Sequence, residues 1–437
     1  PPPMPLPTPD SRIPNLSRCH FSGIAGGGMS ALAWYLHQSG RAVSGSDRAF
    51  DRGEQPEARA AFTAAGIAVT PQDGSGLTAE HTALVVSTAI EGDSPEIARA
   101  RTLGVPVLHR SEVLAALAAE KKTIAVAGTS GKSTVTGMIW HVLEAAGLRP
   151  SLITGANLQS LTERGVPGNA LYAPGEWLVI EADESDGSLV RYHPEIAVLL
   201  NIEKDHQEVD ALMPLFRTFR SQARGAVVNQ SDRRCLTLKA TGDTYFDGAS
   251  AAGAAATDIV CAEWSSGFRW EGTVFTLGVP GRHNVENALA AIAAGRRVGA
   301  SPAECARGLA AYRGVERRTI RVGEARGVTV IDDFAHNPAK VRAALETAKG
   351  TAFGANRRVV AVFHPHGFAP MKLVGRDIMD EAAHVLRPGD LLILPPIFYA
   401  GGTADQSISS ADLADHLNAR IGHPLAVAPE SKDAALR

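Results

Sequence analysis

The sequence predicts an α/β protein of three domains. Short β-type runs alternate with alanine-rich helical stretches from His20 to about Glu120, and the alternation resumes at Thr123 and again near Arg318. Such alternation is typical of parallel sheets covered by helices. A chain of 437 residues is also too long for a single hydrophobic core. We therefore expect three domains, at residues 18–120, 121–314 and 315–437, after a leader at residues 1–17.

The predicted elements follow runs of apolar and β-branched residues that are bounded by glycine, proline or polar residues. In the first domain we expect strands at 18–24, 42–45, 83–87 and 105–108. In the central domain we expect strands at 177–180 and 196–201 and helices at 135–146 and 284–298. In the third domain the predicted strands are 328–332, 359–363 and 391–394.

Composition narrows the class of protein. The chain is 45% hydrophobic and 20% charged, with a net charge of −3, so nothing indicates binding to nucleic acid or to an anionic membrane. Its four cysteines are far apart and indicate neither a disulfide framework nor a zinc cluster, which fits a reducing cytoplasm. No apolar run is long enough to cross a bilayer. The proline-rich leader lacks the pattern of a signal peptide, and we expect it to be disordered or extended.

The central domain opens with a glycine-framed turn between a β-rich run and a helical pattern. The turn reads Gly128, Thr129, Ser130, Gly131, Lys132, Ser133 and Thr134. Glycine amides can crowd onto phosphate oxygens, the lysine neutralises their charge, and the next hydroxyl can ligate Mg²⁺. Val126 stands where the general P-loop has a glycine, so the match is to a shorter form. A glycine turn with a chance lysine is the alternative, but the strand before and the helix after favour phosphate binding.

The first domain has a glycine motif of its own after its first strand. It comprises Gly26, Gly27, Gly28, Met29 and Ser30, and Asp47 ends the next strand 19 residues after Gly28. Dinucleotide-binding folds place an acid near that spacing to meet a ribose or a base. Ala25 replaces the middle glycine, and tight strand–helix packing alone would explain the motif equally well. A second nucleotide-like site beside a P-loop suggests an enzyme that uses ATP to join something to a nucleotide-linked substrate.

Four carboxylates lie within six residues at the end of the strand 177–180, starting with Glu181. A solvated acidic turn is the ordinary explanation. However, parallel strands present their carboxyl ends at the edge where a P-loop also lies, and Mg²⁺ prefers oxygen ligands. We therefore expect Ser133 and Glu181 to hold Mg²⁺. His206 follows the next strand and is predicted to ligate a second metal or to touch the acceptor, unless it is structural.

The ordered set of these motifs resembles the Mur ligases of peptidoglycan synthesis. The likeness is closest to the branch that joins L-alanine to UDP-N-acetylmuramate and to its murein-peptide recycling relative. It covers nearly the whole chain after the leader. The segments that carry it are 23–30, 44–47, 87–90, 108–112, 128–134, 181–188, 201–206, 281–290, 314–318 and 332–338.

The resemblance implies a Rossmann-like first domain for the UDP-sugar, a central P-loop ATPase-like parallel sheet for ATP, and a Rossmann-like third domain for the amine. The implied chemistry converts the lactyl carboxylate to an acyl phosphate, which the amine then attacks. The catalytic residues would be Lys132, Glu181, His206 and Arg318. Besides the P-loop, ATP would contact Asn287, Arg318, Asp333 and His336. Besides the glycine turn and Asp47, the UDP-sugar would contact Ser87, Thr88 and Arg110. The implied partners are small molecules, and the chain would be a monomer or a homodimer.

The amine site departs from the pattern of the alanine-adding branch. Gly367 and Pro370 stand where that branch carries arginines, and neither can replace a carboxylate-binding guanidinium. His366 and Lys372 are the remaining candidates to contact the amine substrate. L-Alanine is the default amine, and the alternatives are a murein peptide or a different amine or acceptor. A nucleotide-binding regulator without catalysis, and a nicotinamide-dependent dehydrogenase based on the first glycine motif alone, are further alternatives.

Overall fold

The computed structural model describes residues 15–185, 187–204, 208–247, 256–350, 357–399 and 405–435. It confirms the α/β class and a three-part architecture built largely on parallel sheets. His206 and residues 1–14 of the leader lie outside the described residues. Across the described ranges, no helix combines the length and apolar character needed to span a bilayer.

The first unit is a five-stranded parallel sheet in the order β3-β2-β1-β4-β5. Its strands are β1 (Arg18–Ser22), β2 (Ala42–Ser46), β3 (Ala68–Thr70), β4 (Ala83–Val86) and β5 (Val107–His109). Its helices are α1 (Gly27–Gln38), α2 (Arg48–Asp51), α3 (Pro56–Ala64), α4 (Pro95–Leu103) and α5 (Arg110–Ala119). The order places the glycine turn after β1 in the middle of the sheet's carboxyl edge.

The central unit is a seven-stranded sheet in the order β12-β11-β10-β6-β9-β7-β8, parallel except for β8. Its strands are β6 (Lys122–Ala127), β7 (Ser151–Ile153), β8 (Ala170–Leu171), β9 (Trp177–Glu181), β10 (Ile196–Leu199), β11 (Gly225–Asn229) and β12 (Thr244–Phe246). Its helices are α6 (Lys132–Ala145), α7 (Gln159–Thr162), α8 (Val209–Gln222), α9 (Arg233–Leu236), α10 (Arg282–Arg297) and α11 (Pro302–Ala311), with a 3₁₀ turn at Ser188–Arg191.

A separate antiparallel sheet, which the sequence patterns do not predict, precedes α10. It consists of β13 (Thr257–Cys261), β14 (Ser266–Trp270) and β15 (Thr273–Leu277). Its buried side chains, Phe268 and Phe275, stack with ring centroids 5.0 Å apart and join the core above α6 and α10.

The third unit combines a hairpin with a small parallel sheet. The hairpin pairs β16 (Ile320–Ala325) with β17 (Val328–Asp332), so the predicted strand 328–332 forms but pairs antiparallel. The parallel sheet has the order β18 (Val360–Val362), β19 (Leu391–Ile393) and β20 (Ala426–Val427). Its helices are α12 (Pro338–Lys349), α13 (Phe368–Val385), α14 (Ser410–Ile421) and α15 (Lys432–Ala435).

Two helix starts differ from the expectation. α6 begins at Lys132, three residues before the predicted start, because the lysine and hydroxyls of the turn already belong to the first helical turn. α10 begins at Arg282 after Gly281, whose φ of 95° requires a glycine. Asn284 therefore lies inside the helix, and its Nδ2 donates to the carbonyl of Pro280 at 2.6 Å.

The first and central units share a hydrophobic core, whereas the third unit does not take part in it. One continuous cluster of buried side chains includes both the first unit and one face of the central sheet, with Tyr35 of α1 and Ile180 of β9 among its members. The other face of the central sheet packs on α6, α10 and α11. The third unit has a separate cluster that contains Met371 and Leu413. The first two units therefore form one packed body, whereas the third has its own core.

Candidate active site

The P-loop lies between the end of β6 and the start of α6. Gly128 and Gly131 both have positive φ, 153° and 85°, which favours glycine. A Cβ at Gly128 would lie 2.9 Å from Cβ of Leu200, and one at Gly131 would lie 2.7 Å from Oδ1 of Asn287. Oγ of Ser130 is buried without a hydrogen-bond partner among the described residues. A tight glycine cradle with an unpaired hydroxyl at the N-terminus of a helix fits a phosphate group.

Lys132 faces the carboxylate loop that follows β9. Its Nζ donates to Oε2 of Glu184 at 2.9 Å and to the carbonyl of Gly128 at 2.8 Å, and it lies 3.9 Å from Asp183. Burial favours the neutral amine, but Glu184, Glu181 and Asp183 outweigh it and hold the pKa of Lys132 above its usual value. The lysine is therefore a fixed positive charge in the cradle.

Glu181 is the last residue of β9 and reaches the P-loop from the neighbouring strand. Its Oε2 accepts hydrogen bonds from Oγ of Ser133 at 2.9 Å, from Oγ1 of Thr154 at 3.0 Å and from the amide of Gly155 at 3.0 Å. The structure therefore places Ser133 and Glu181 together. Within the described ranges, no group of three His, Cys, Asp or Glu side chains forms a metal site. A cation here would have to share hard oxygen ligands with a bound phosphate, as Mg²⁺ does.

Asn201 supports the P-loop and was not identified as a site residue from the sequence. Its Oδ1 accepts hydrogen bonds from Oγ1 of Thr129 at 2.9 Å and from the amide of Ser130 at 2.8 Å, and its Nδ2 donates to the carbonyl of Ser130 at 3.1 Å. Asn201 follows β10, the strand next to β6. Its position after an apolar strand is the signal that could have identified it.

The first glycine turn lies against the central unit. Nδ2 of Asn169 donates to the carbonyl of Gly27 at 3.1 Å and to Oγ of Ser30 at 2.9 Å. A Cβ at Gly28 would lie 3.2 Å from the guanidinium of Arg110, which in turn lies 3.9 Å from Asp183. Gly26 and Met29 complete the turn, and Ser87 also faces the cavity. Arg110 therefore links the glycine turn to the carboxylate loop beside Lys132.

Asp47 has a local structural role. Its Oδ1 accepts a hydrogen bond from the amide of Ala49 and so caps α2, and its Oδ2 accepts one from the amide of Ala25 in the glycine turn, both at 2.9 Å. Neither Asp47 nor Thr88 is among the described residues that line the cavity. Contact of these two side chains with a sugar nucleotide stays a prediction.

Candidate nucleotide-contacting residues from α10 and the third unit face the same cavity. Asn287 lies against Gly131, and the Arg318 guanidinium lies 5.5 Å from the ring centroid of Phe334. Oδ2 of Asp333 accepts hydrogen bonds from the amide and the hydroxyl of Thr319, at 2.7 and 2.9 Å. His336 lies with its Nδ1 2.9 Å from the carbonyl of Phe334. All four candidates line the cavity.

His366 and Lys372 lie elsewhere on the third unit. The His366 ring stacks on Phe398 with centroids 4.8 Å apart, and Lys372 pairs with Asp405. Gly367 has a φ of 87°, and a Cβ there would lie 3.3 Å from Pro370. His366 and Lys372 are absent from the described lining of the central cavity. Contact of His366 and Lys372 with the amine substrate stays a prediction.

Residues 129–134 of the P-loop line one cavity of about 1940 Å³ together with Arg110, Glu181 and the four nucleotide-contacting candidates. Its walls come from the first glycine turn, the P-loop, the carboxylate loop, α10 and the start of the third unit. A phosphate cradle, a largely buried lysine and a second nucleotide-like turn in one cavity are typical of the ATP-dependent ligases that act on nucleotide-linked substrates.

Comparison with known proteins identifies the family. Three family profiles match in succession: "Mur ligase family, catalytic domain" at residues 18–122, "Mur ligase middle domain" at 126–295 and "Mur ligase, glutamate ligase domain" at 317–437. The UDP-N-acetylmuramate–L-alanine ligase of Streptomyces avermitilis is 40% identical over 392 residues, which cover 83% of this chain and 80% of that protein. The chain belongs to the Mur ligase family and is an ATP-dependent amide ligase.

Two further relatives extend the likeness. The UDP-N-acetylmuramate–L-alanine ligase of Rhizobium meliloti is 34% identical over 426 residues, covering 92% of this chain and 87% of that protein. The crystal structure of UDP-N-acetylmuramate-alanine ligase from Thermotoga maritima matches with a TM-score of 0.75 and 26% identity, covering 94% of this chain and 90% of that one.

Proposed function

We propose that this enzyme joins L-alanine to the lactyl carboxylate of UDP-N-acetylmuramate at the expense of ATP, a step of peptidoglycan synthesis. The observation that carries the proposal is a cavity shared by two turns. The glycine turn at residues 26–30 and the P-loop both line this cavity, and the ion pair of Arg110 with Asp183 lies between them. The relatives from S. avermitilis and R. meliloti and the T. maritima structure carry the name of this activity.

The proposed reaction has two steps. A carboxylate oxygen of the lactyl group attacks the γ-phosphorus of ATP, and ADP leaves, which gives an acyl phosphate. The amine nitrogen then attacks the acyl carbon, the bond from that carbon to the phosphate oxygen breaks, and inorganic phosphate leaves with its electron pair while the nitrogen loses a proton to solvent. The first step brings two anions together, so the protein must neutralise charge at their meeting point.

The residues of the cavity supply that neutralisation. Lys132 is held charged by its carboxylate neighbours and reaches the phosphates from the start of α6. We propose that Arg318 contacts the γ-phosphate and that Asn287 holds the adenine, which is supported by their position in the cavity lining, with Asn287 beside Gly131. Asp333 and His336 line the same cavity and are proposed to contact the ribose or the phosphates. In this proposal the four residues orient ATP relative to the glycine turn at residues 26–30, which would hold the acceptor.

Ser133 and Glu181 fit Mg²⁺, because a hydroxyl and a carboxylate oxygen lie 2.9 Å apart beside the phosphate cradle. Mg²⁺ bound there would neutralise phosphate charge and polarise the γ-phosphate. His206 remains a proposed ligand for a second ion, and it lies outside the described residues. Because the reaction consumes ATP, we place it in the cytoplasm, with the chain acting as a monomer or a homodimer.

A murein peptide is the second candidate for the amine. The observation that favours it is Gly367, whose φ of 87° would strain an arginine and whose missing Cβ accommodates Pro370. The site therefore lacks both arginines expected to bind the carboxylate of a single amino acid. His366 and Lys372 are proposed to contact whichever amine is used.

The test measures phosphate release from Mg·ATP and UDP-N-acetylmuramate with single amino acids and with murein tripeptide. Release that depends on L-alanine supports the proposal. Release that occurs only with the tripeptide assigns the recycling reaction instead. ATP binding without release in the presence of any amine contradicts the assignment to UDP-N-acetylmuramate and supports a regulator or a paralogue with another acceptor.

A further inference from the structure

A cluster of polar side chains lies buried in the first unit, outside the described lining of the cavity. Glu96, in the first turn of α4, has no exposed surface. Its Oε1 accepts hydrogen bonds from Nε2 of His20 at 3.0 Å and from Oγ of Ser46 at 2.5 Å, and its Oε2 accepts one from Oγ of Ser22. Burying a carboxylate is unfavourable unless it is hydrogen-bonded, and these three donors meet that need.

Strand register explains why these residues meet. In the parallel pair β1–β2, His20 lies opposite Ser44 and Ser22 lies opposite Ser46. Because side chains alternate along a strand, all four lie on one face of the sheet. α4 covers that face and places Glu96 over it, with the positive end of the helix dipole beside the carboxylate.

A chain of hydrogen bonds leads to this carboxylate. Oγ of Ser44 lies 3.0 Å from Nε2 of His81 and 2.8 Å from Nδ1 of His20, and Nε2 of His20 lies 3.0 Å from Oε1 of Glu96. The hydroxyls of Ser22 and Ser46 donate to the two oxygens of the same carboxylate. Although burial opposes ionisation, the hydrogen bonds hold the pKa of Glu96 below its usual value.

The cluster is joined directly to the glycine turn. The backbone carbonyl of Ser46 accepts hydrogen bonds from the amides of Gly23 at 2.8 Å and Ile24 at 3.0 Å. Ser22 immediately precedes Gly23 in the chain. Glu96 thus links the ends of β1 and β2 through one serine hydroxyl on each strand. The glycine turn follows β1 and is hydrogen-bonded to the end of β2.

We propose that Glu96 is a positioning residue for the sugar nucleotide: its ionised carboxylate clamps Ser22 and Ser46 and so fixes the glycine turn in the shape that binds the substrate. Glu96 touches no substrate itself. This inference rests on the proposed function, because it takes the turn to bind UDP-N-acetylmuramate.

The test compares Glu96→Gln with the wild type and with Glu304→Gln. Glu304 is a matched control, since it is also a first-turn carboxylate bonded to a serine, in α11 of the central unit. Calorimetry gives the Kd of UDP-N-acetylmuramate, and kinetics give the KM of ATP. In Glu96→Gln an amide NH₂ faces hydrogen-bond donors, so we expect the Kd for the sugar nucleotide to rise at least tenfold while the KM of ATP changes less than twofold. Glu304→Gln should change neither.

A milder variant keeps the test decisive if Glu96→Gln fails to fold. Ser46→Ala removes one of the three donors and is expected to raise the same Kd three- to tenfold. Unchanged affinity for the sugar nucleotide in Glu96→Gln, or in Ser46→Ala where only that variant folds, overturns the inference, even if the melting temperature falls. Absence of binding by the wild type overturns the proposed function instead, so the two failures are distinguishable.

Discussion

The ammonium of Lys132 lies 2.9 Å from Oε2 of Glu184, a carboxylate that is almost fully buried beneath the P-loop. This pair joins the start of α6 to the loop after β9, two elements that meet only because β6 and β9 are neighbours in the sheet. The lysine is thereby fixed in the cavity as a permanent cation.

Replacing Lys132 should abolish most of the activity. In Lys132→Met the charge that neutralises the phosphates is lost, and we expect kcat/KM for ATP to fall about 1,000-fold. Phosphate release under saturating acceptor measures the effect. Lys122→Met is the control, because that lysine is half exposed and pairs with Glu176 at the opposite end of β6. Activity of Lys132→Met within tenfold of the wild type would contradict this role.

Glu181 should set the requirement for Mg²⁺. Glu181→Gln removes the carboxylate that accepts a hydrogen bond from the Ser133 hydroxyl. We therefore expect the Mg²⁺ concentration for half-maximal activity to rise about tenfold or more. A titration of Mg²⁺ at fixed ATP checks this. Glu176→Gln, at an exposed carboxylate before the same strand, should leave the titration unchanged. Coincident curves for Glu181→Gln and the wild type would remove Glu181 from the proposed metal site.

Asn201 should matter for ATP binding although it need not touch ATP. Asn201→Ala removes three hydrogen bonds to Thr129 and Ser130, and we expect the KM of ATP to rise about 10- to 100-fold, since the three bonds together contribute at most about 3 kcal/mol. Initial rates over a range of ATP concentrations measure it. Asn229→Ala serves as the comparison, because that side chain donates to the carbonyl of Leu200 beside the same loop. A larger effect at Asn229 than at Asn201 would contradict the assignment.

Buried His141 should make the fold acid-sensitive. Burial lowers the pKa of His141 from 6.5 to about 4, and its Nε2 lies 2.8 Å from Oγ of Ser160. The neutral ring stabilises the fold fully above pH 6.5, and this contribution is lost as the pH falls towards 4. Between pH 8 and pH 5 the loss is about 2 kcal/mol. Urea unfolding of the wild type and His141→Gln at both pH values tests this, and equal acid sensitivity of the two proteins would refute it.

Replacing Gly308 with alanine should lower the stability of the protein, although alanine usually stabilises a helix. An alanine is favoured over glycine in helices by about 1 kcal/mol. At Gly308 of α11, however, a Cβ would lie 2.6 Å from the carbonyl oxygen of His141 and from Cα of Val142. We expect Gly308→Ala to destabilise the protein by about 1–3 kcal/mol. Thermal unfolding measures it, with Gly323→Ala, which meets no atom within 4 Å, as the control.

Much of the fold follows from sequence patterns that are local. The strand before the P-loop, the helix after it and the carboxylate at the end of β9 were all indicated by apolar runs that end in glycine or acid. The sheet of β13, β14 and β15 was not, because its strands are short and half exposed and lack a clear apolar run. The antiparallel pairing of β17 depends on β16, which is mostly exposed and gives little hydrophobic signal.

The candidate site was likewise predictable only in part. Motif residues such as Lys132 and Glu181 could be predicted, since their chemistry is visible in the sequence. Asn201 and Glu184 could not be given roles, because each acts by a contact across neighbouring strands. Glu96 was also missed, since a single glutamate in a helix gives no hint that it is buried against two strands of the sheet.

The continuous core beneath the first and central units has a consequence for protein engineering. The ring of Tyr35 in α1 lies 5.5 Å from that of Tyr172, centroid to centroid, and Oε1 of Gln38 accepts a hydrogen bond from the amide of Tyr172 at 2.7 Å. A cut between these units would therefore expose a packed apolar interface. The third unit has a core of its own, so a cut near Thr319 would separate two cores and would not divide one. Because we propose that His366 and Lys372 contact the amine, chimeras that take only this unit from a relative are expected to fold and to change which amine triggers phosphate release.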